Sequence, residues 1–346
     1  MQTNNVMNYF NPLILPKVDI LHTFNAVCNT PGIKWCSTFE STIPRTNQTV
    51  NRYWEKNGGV IRPDRITQKL LDLLSQNNCI GLLALSESAY RIQKNMVQIL
   101  GMNPLMNKTR VLHPPQNVLV DDALLQKKFE NLNSIPQIEF LFIGHNFFGK
   151  GGPQVVEALD RMKDKHRIHL TVISKLLPDS YASHTTDEDQ RVWKEKLQNT
   201  TWITWHETLP NGKVLELARN AHVGLLPSLA DTYGYSVLEM QACGLPVITS
   251  NVRALPEINN DRCGWVCRLP IDDIGGELKT IRQKIETERV KTQLTDQLES
   301  VFREIFERPD LIAEKGKKSL DRIRKNHDPV NYGKELLKVY RPYNFN

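Results

Sequence analysis

A lysine sits inside a short glycine loop, Gly144-His145-Asn146-Phe147-Phe148-Gly149-Lys150-Gly151. It follows an apolar strand pattern at 138–143 and precedes a helical pattern at 152–163. That arrangement brings an ammonium group and backbone N–H groups against a phosphate. A nucleotide-hydrolysing phosphate loop would continue with Ser or Thr to ligate magnesium, and Gly151 stands there instead. The next strand pattern, 168–174, also ends without the acidic residue that would hold the metal. ATP hydrolysis is therefore disfavoured, while phosphate binding stays open.

A second stretch, LLPSLADTYGYSVLEMQACGLPVITSNVRALPEI at 225–258, asks for the same kind of ligand. Asp231 lies in a loop after a strand pattern. Gly234 allows close backbone approach, and a helix begins at once with Tyr235 and Ser236. Such a helix start offers N–H groups and a positive dipole end to an anion. Glu239 follows about one turn later, Gly244-Leu245-Pro246 ends the helix, and Glu257 comes after the next strand pattern.

These groups need a scaffold, and the chain supplies one by alternation. Strand patterns at 18–24, 34–39, 79–85 and 110–113 are interleaved with helical ones at 65–76 and 87–100. After 131–137 the rhythm restarts, with strands at 138–143, 168–174, 202–206, 222–227 and 245–250 and helices at 152–163, 212–221 and 235–243. Alternation of this kind predicts α/β units with parallel sheets, here two Rossmann-like domains split near residue 135. Residues 276–340 read as mostly helical and highly charged. With 346 residues the chain is long enough for two cores. Residues 1–136 carry 14 Lys and Arg against 9 Asp and Glu, and 137–346 carry 30 against 29. The basic first half suits either surface scatter or peripheral contact with an anionic membrane face. It contains no basic cluster of the kind used on nucleic acid, so no nucleic-acid partner is expected. The six cysteines form no CxxC pair, and neither a metal nor a cofactor is expected. The opening residues lack a signal-peptide pattern and no apolar run reaches membrane-spanning length, so a cytoplasmic chain is expected.

The 225–258 stretch closely resembles the retaining glycosyltransferases of family 4, known also as glycosyl transferases group 1, which have the GT-B fold. The likeness rests on the acidic pair Asp231 and Glu239 with seven residues between, the turn Cys243-Gly244-Leu245-Pro246-Val247, the further Glu257, and the loop from Gly144-His145 to Lys150-Gly151. It implies two facing Rossmann-like domains, 1–135 and a nucleotide-sugar-binding 136–328, with a final helix near 329–346 crossing back to a shortened first domain. It implies sugar transfer from a nucleotide-sugar, a UDP- or GDP-sugar, to a glycan, lipid-linked or small-molecule hydroxyl, as a retaining hexosyltransferase without metal. Asp231, Lys150 and Glu239 would be the catalytic set, with Asp231 beside the donor sugar, Glu239 on the ribose and Lys150 on the leaving diphosphate. Gly144, His145, Gly151, Tyr233, Gly234, Tyr235, Ser236 and Val237 would complete the donor-binding set. Glu40 and His22 stand as candidates on the acceptor side. Three departures mark this chain: Asp231 replaces the usual Glu, His145 the usual Arg, and the first half lacks the opening strand and glycine-rich loop of relatives. Two other readings share the fold: a nucleotide-sugar-binding protein without transferase activity, and a sugar-nucleotide epimerase. Asp187-Glu188-Asp189 spells a DxD metal motif of another glycosyltransferase fold, but in a polar stretch that reads as a solvated loop.

Overall fold

A computed structural model describes residues 9–12, 17–52, 60–130, 132, 137–281 and 283–341. The chain divides into two compact units, Met1–Pro115 with Pro329–Asn346, and Gln116–Asp328.

The first unit holds strands β1 (Tyr9–Phe10), β2 (Ile20–Phe24), β3 (Val27–Cys28), β4 (Lys34–Phe39), β5 (Cys79–Ala84) and β6 (Thr109–Val111). Helices α1 (Asn47–Arg52), α2 (Arg65–Ser75) and α3 (Glu87–Ile99) connect them. Four strands form a parallel sheet in the order β2-β4-β5-β6, and β1 pairs with β3. The unbroken apolar run of β5 is buried along its whole length, as a central parallel strand requires. Helices start where the side chains dictate: Asp64 accepts from the Thr67 N–H at 2.7 Å to open α2, and Ser86 accepts from the Ala89 N–H at 3.0 Å to open α3.

The second unit runs α4 (Asp122–Phe129), β7 (Ile138–Asn146), α5 (Gly152–Asp160), β8 (Ile168–Lys175), α6 (Asp187–Asn199), β9 (Ile203–His206), α7 (Asn211–Asn220), β10 (Val223–Leu226), α8 (Tyr235–Ala242), β11 (Val247–Ser250), α9 (Leu255–Ile258), β12 (Gly264–Cys267), α10 (Lys284–Glu307) and α11 (Asp310–Asn326). Its six strands are all parallel, in the order β12-β11-β10-β7-β8-β9. Counted from β7, this is the doubly wound order 3-2-1-4-5-6, which reverses direction between β7 and β10. A last helix, α12 (Pro329–Tyr340), belongs to the first unit. There its Val339 lies over Gly81 of β5, where a Cβ would come within 2.9 Å of Val339 Cγ1. The Tyr340 hydroxyl meets His22 Nδ1 at 2.6 Å, and His22 Nε2 meets Thr38 Oγ1 at 2.8 Å.

Two features depart from the sequence expectations. The boundary falls between Pro115 and Gln116 rather than near 135. Segment 116–130 is fastened to the second unit: the Leu119 N–H donates to the Ala242 carbonyl at 2.9 Å, and Leu125 and Phe129 of α4 are buried. The polar stretch at Asp187 is not a loop but the first turn of α6. Thr186 and Asp189 form a reciprocal capping box there, and the acids complement the helix dipole. All six cysteines are buried free thiols. Among the described residues, no helix is long and apolar enough to cross a membrane.

Leu125 packs beside Gly244, where an added Cβ would meet Leu125 Cδ1 at 2.2 Å. Leu125→Ala should therefore cost about 2–5 kcal/mol. Hydrogen exchange should show protection falling in α8 and β11, with β4 and β5 unchanged. The reverse pattern would place α4 with the first unit.

Candidate functional site

The reversal between β7 and β10 opens a crevice at the C-terminal strand ends, where α/β sheets of this order bind ligands. A cavity of about 400 Å³ lies there. One wall is the loop after β7. The Asn146 side chain accepts from the N–H groups of Phe148 and Gly149 at 3.0 and 3.2 Å, and the Lys150 N–H donates to the Asn146 carbonyl at 3.0 Å. Phe147 and Phe148 are buried beneath this turn, their rings edge-on at 5.6 Å. The apolar pair anchors the loop and the asparagine closes it.

Two glycines make the loop possible. Gly151 has φ +79°, and a Cβ there would come within 2.2 Å of the Pro227 carbonyl oxygen. Gly144 lets the Lys150 stem cross it, since a Cβ would meet Lys150 Cγ at 2.9 Å. The lysine then reaches the loop after β10. Its Nζ donates to Asp231 Oδ2 at 2.7 Å and to the Ala230 carbonyl at 2.8 Å. The other Asp231 oxygen accepts from the Tyr233 N–H at 3.1 Å. The Leu229 N–H donates to the Gly149 carbonyl at 3.0 Å, a second tie between the two loops.

The other wall is the start of α8. Gly234, at φ +93°, is its N-cap, and no side chain caps the helix. A Cβ on Gly234 would lie 2.6 Å from Leu255 Cδ2, so α9 presses against this turn. The Ser236 hydroxyl donates to the Ile143 carbonyl at 3.1 Å, fixing the start of α8 to the end of β7. The Ser236 hydroxyl is thus already engaged within the unit.

Of the residues singled out in the sequence, Gly144, His145, Lys150, Asp231, Gly234, Tyr235 and Ser236 line the cavity. Tyr233, Val237 and Gly151 are buried and do not line it. Burial pushes the Tyr233 hydroxyl far above its ordinary range, so it stays protonated. Glu239 also lies off the cavity lining. Its carboxyl is bonded to the Asn211 side chain, and burial raises its pKa despite that bond. Glu40 and His22 belong to the first unit. Glu40 pairs with Arg45 at 3.7 Å, and both nitrogens of His22 are already bonded within that unit. Sequence reading missed Ser174 and Lys175 at the end of β8, and Glu207, Thr208 and Leu209 after β9. The signal for them is positional, since every strand in this sheet ends at the same edge. Among the described residues, no group of three or more His, Cys, Asp or Glu is placed to hold a metal.

The loop geometry also bears on the magnesium-binding alternative. Gly151→Ser would force a side chain into a left-handed backbone and onto the Pro227 carbonyl. We expect a stability loss of about 3 kcal/mol in urea unfolding, with no gain of magnesium-dependent ATP binding by calorimetry. A stable variant that binds magnesium-ATP would restore the phosphate-loop reading.

Residues 126–287 match the family of glycosyl transferases group 1. Over 186 residues the chain is 23% identical to the phosphatidylinositol N-acetylglucosaminyltransferase gpi3 subunit of Schizosaccharomyces pombe, covering 53% of this chain and 39% of that protein. A glycosyltransferase from Rickettsia africae ESF-5 superposes with a TM-score of 0.57 at 15% identity, covering 94% of this chain and 77% of that one. Anabaena HepE in complex with UDP-glucose superposes with a TM-score of 0.59 at 11% identity, covering 94% and 79%. At these identities the likeness establishes the fold, an α/β fold of parallel sheets shared with GT-B glycosyltransferases. The chain spans less than half the length of the curated relatives it matches.

Proposed function

We propose that this chain, which carries a glycosyl transferases group 1 domain over residues 126–287, transfers a sugar from a nucleotide-sugar to a hydroxyl acceptor. The observation that carries the proposal is Lys150, held 2.7 Å from Asp231 at the mouth of the strand-order reversal. An ammonium has three N–H donors. Asp231 and the Ala230 carbonyl engage two of them. The third is available to a phosphate oxygen, and the uncapped start of α8 adds backbone donors and a positive dipole end. The complexes of HepE with UDP and with UDP-glucose support a nucleotide-sugar as donor.

The reaction proposed is the metal-independent, retaining one of family 4. The bond between the anomeric carbon and the diphosphate oxygen breaks, and its electron pair goes to the diphosphate. Lys150 and the α8 N–H groups stabilise that developing charge, which is the main catalytic task. The acceptor oxygen bonds to the anomeric carbon on the same face, and its proton passes to a phosphate oxygen. Asp231 lies beside the sugar, and its shorter reach than glutamate is offset by the Lys150 bond that holds it in place. Glu239 takes the ribose once the donor is seated. The enzyme would act in the cytoplasm, with peripheral membrane contact through its basic first half where the acceptor is lipid-linked.

The test is a thermal-shift panel of UDP, GDP and ADP, without and with magnesium, followed by turnover of the UDP- or GDP-sugar that matches. A nucleotide at 100 times its Kd should stabilise by about 2.7 kcal/mol. Lys150→Ala should lower turnover by roughly 10²-fold or more and remove the shift. Full turnover in the variant would remove Lys150 from the chemistry. Nucleotide binding without transfer to any hydroxyl would defeat the transferase reading.

Glu239 gives a pH dependence of definite sign. Its folded carboxyl keeps the proton to a higher pH than the ordinary value near 4.3. A ribose hydroxyl donates best to the carboxylate, so nucleotide affinity should rise as pH climbs through that elevated value toward neutrality. Glu239→Gln should flatten the profile. Titration calorimetry from pH 5 to 7.5 measures both, and an unchanged slope in the variant would release Glu239 from the ribose.

A further inference from the structure

We propose that the second unit carries a separate site for a phosphomonoester, in a cavity of about 290 Å³ between α11 and the turn that precedes β12. From the helix side, Lys318, Arg322 and Lys325 line it. With Asp321 and Asn326 they recur at intervals of three and four residues, which places them on one face of α11. From the turn side comes Arg262, whose N–H donates to the Asn260 side-chain oxygen at 3.0 Å.

Four cations line this cavity against a single acid, Asp321, and that acid is already engaged by Arg324 at 3.5 Å. Like charges gathered at one concavity repel unless an anion joins them. Lys318 is partly compensated by Glu314 at 2.6 Å. Arg322 donates one guanidinium N–H to the Glu257 carbonyl, a neutral acceptor. Its Nε is buried and has no hydrogen-bond partner among the described residues. Neither Arg262 nor Lys325 has a carboxylate partner among the described residues. A buried guanidinium N–H left unbonded is costly, and a planar fork beside ammonium groups fits the oxygens of a phosphate dianion. The volume admits a phosphate with one sugar-sized group attached. No residue of this cavity lines the cavity of Lys150 and Asp231.

A phosphate monoester of this size is met as a free sugar phosphate or as a lipid headgroup. The test is calorimetry of the full chain at 0.15 M salt with glucose 6-phosphate, and co-sedimentation with phosphatidylcholine vesicles containing one fifth phosphatidic acid. Glucose and pure phosphatidylcholine vesicles serve as neutral controls. Glucose 6-phosphate should bind while glucose does not. The exposed double variant Arg262→Ala/Lys325→Ala should weaken it at least tenfold and leave the thermal shift with UDP or GDP intact. Binding of the acidic vesicles alone, lost in the same variant, assigns the site to a lipid phosphate. Binding that survives the double variant, or that is lost in Lys150→Ala instead, overturns the proposal. So does the absence of binding to both probes. Arg322→Lys, which keeps the charge and loses the fork, should weaken binding without unfolding the chain.

Discussion

The bond between Lys150 and Asp231 is the constraint around which the second unit is arranged. It joins the loops after β7 and β10, the two strands between which the sheet reverses its order. Strands that diverge in connection leave a gap at that point, and something must hold its edges at a fixed separation. A 2.7 Å charge-assisted bond does so, with Lys150 largely and Asp231 almost wholly shielded from water. Shielding raises the stakes, because a half-buried pair that loses one member leaves the other charge uncompensated. The glycines follow from the same requirement. The two loops run so close that residue 151 has no room for a Cβ against the Pro227 carbonyl, and residue 144 none against the lysine stem.

Electrostatics at the crevice follow from the same geometry. Helices α5 and α8 both begin at this edge of the sheet, and neither has a side-chain cap. Two positive dipole ends, Lys150 and Lys175 are balanced in the protein by Asp231 and Glu207. Asp231 therefore sets a negative charge among these positive ends, on the Lys150 ammonium itself.

Much of this was legible in the chain, for physical reasons that differ from part to part. The central strands β5 and β10 are apolar runs buried along their whole length, and β4 was read with the bounds it shows. Lys150, Asp231 and Gly234 were legible because a glycine beside a charged residue at a strand end has few other uses. The boundary at 115 was not legible. Segment 116–130 is polar and short, and its place is decided by contacts with Ala242 and Gly244 far along the chain. The acids at Asp187 looked like loop residues because their composition is polar throughout. Their helix is set by the Thr186 cap, a local signal that composition does not register. Glu207 and Lys175 were missed because no motif marks them, only their position at strand ends.

The first unit is built from both ends of the described chain. His22 on β2 bonds Thr38 on β4 with one ring nitrogen and Tyr340 on α12 with the other, and burial lowers its pKa, keeping the ring neutral. Val339 covers Gly81 on the central strand β5. Every residue of the second unit lies between those partners in the chain. On a ribosome adding roughly 5–20 residues per second, the sheet of the first unit emerges some tens of seconds before its covering helix. During synthesis the earlier unit is therefore the later one to be completed. Its nascent sheet waits with β5 uncovered while the second unit, contiguous from Gln116 to Asp328, has all its parts in hand.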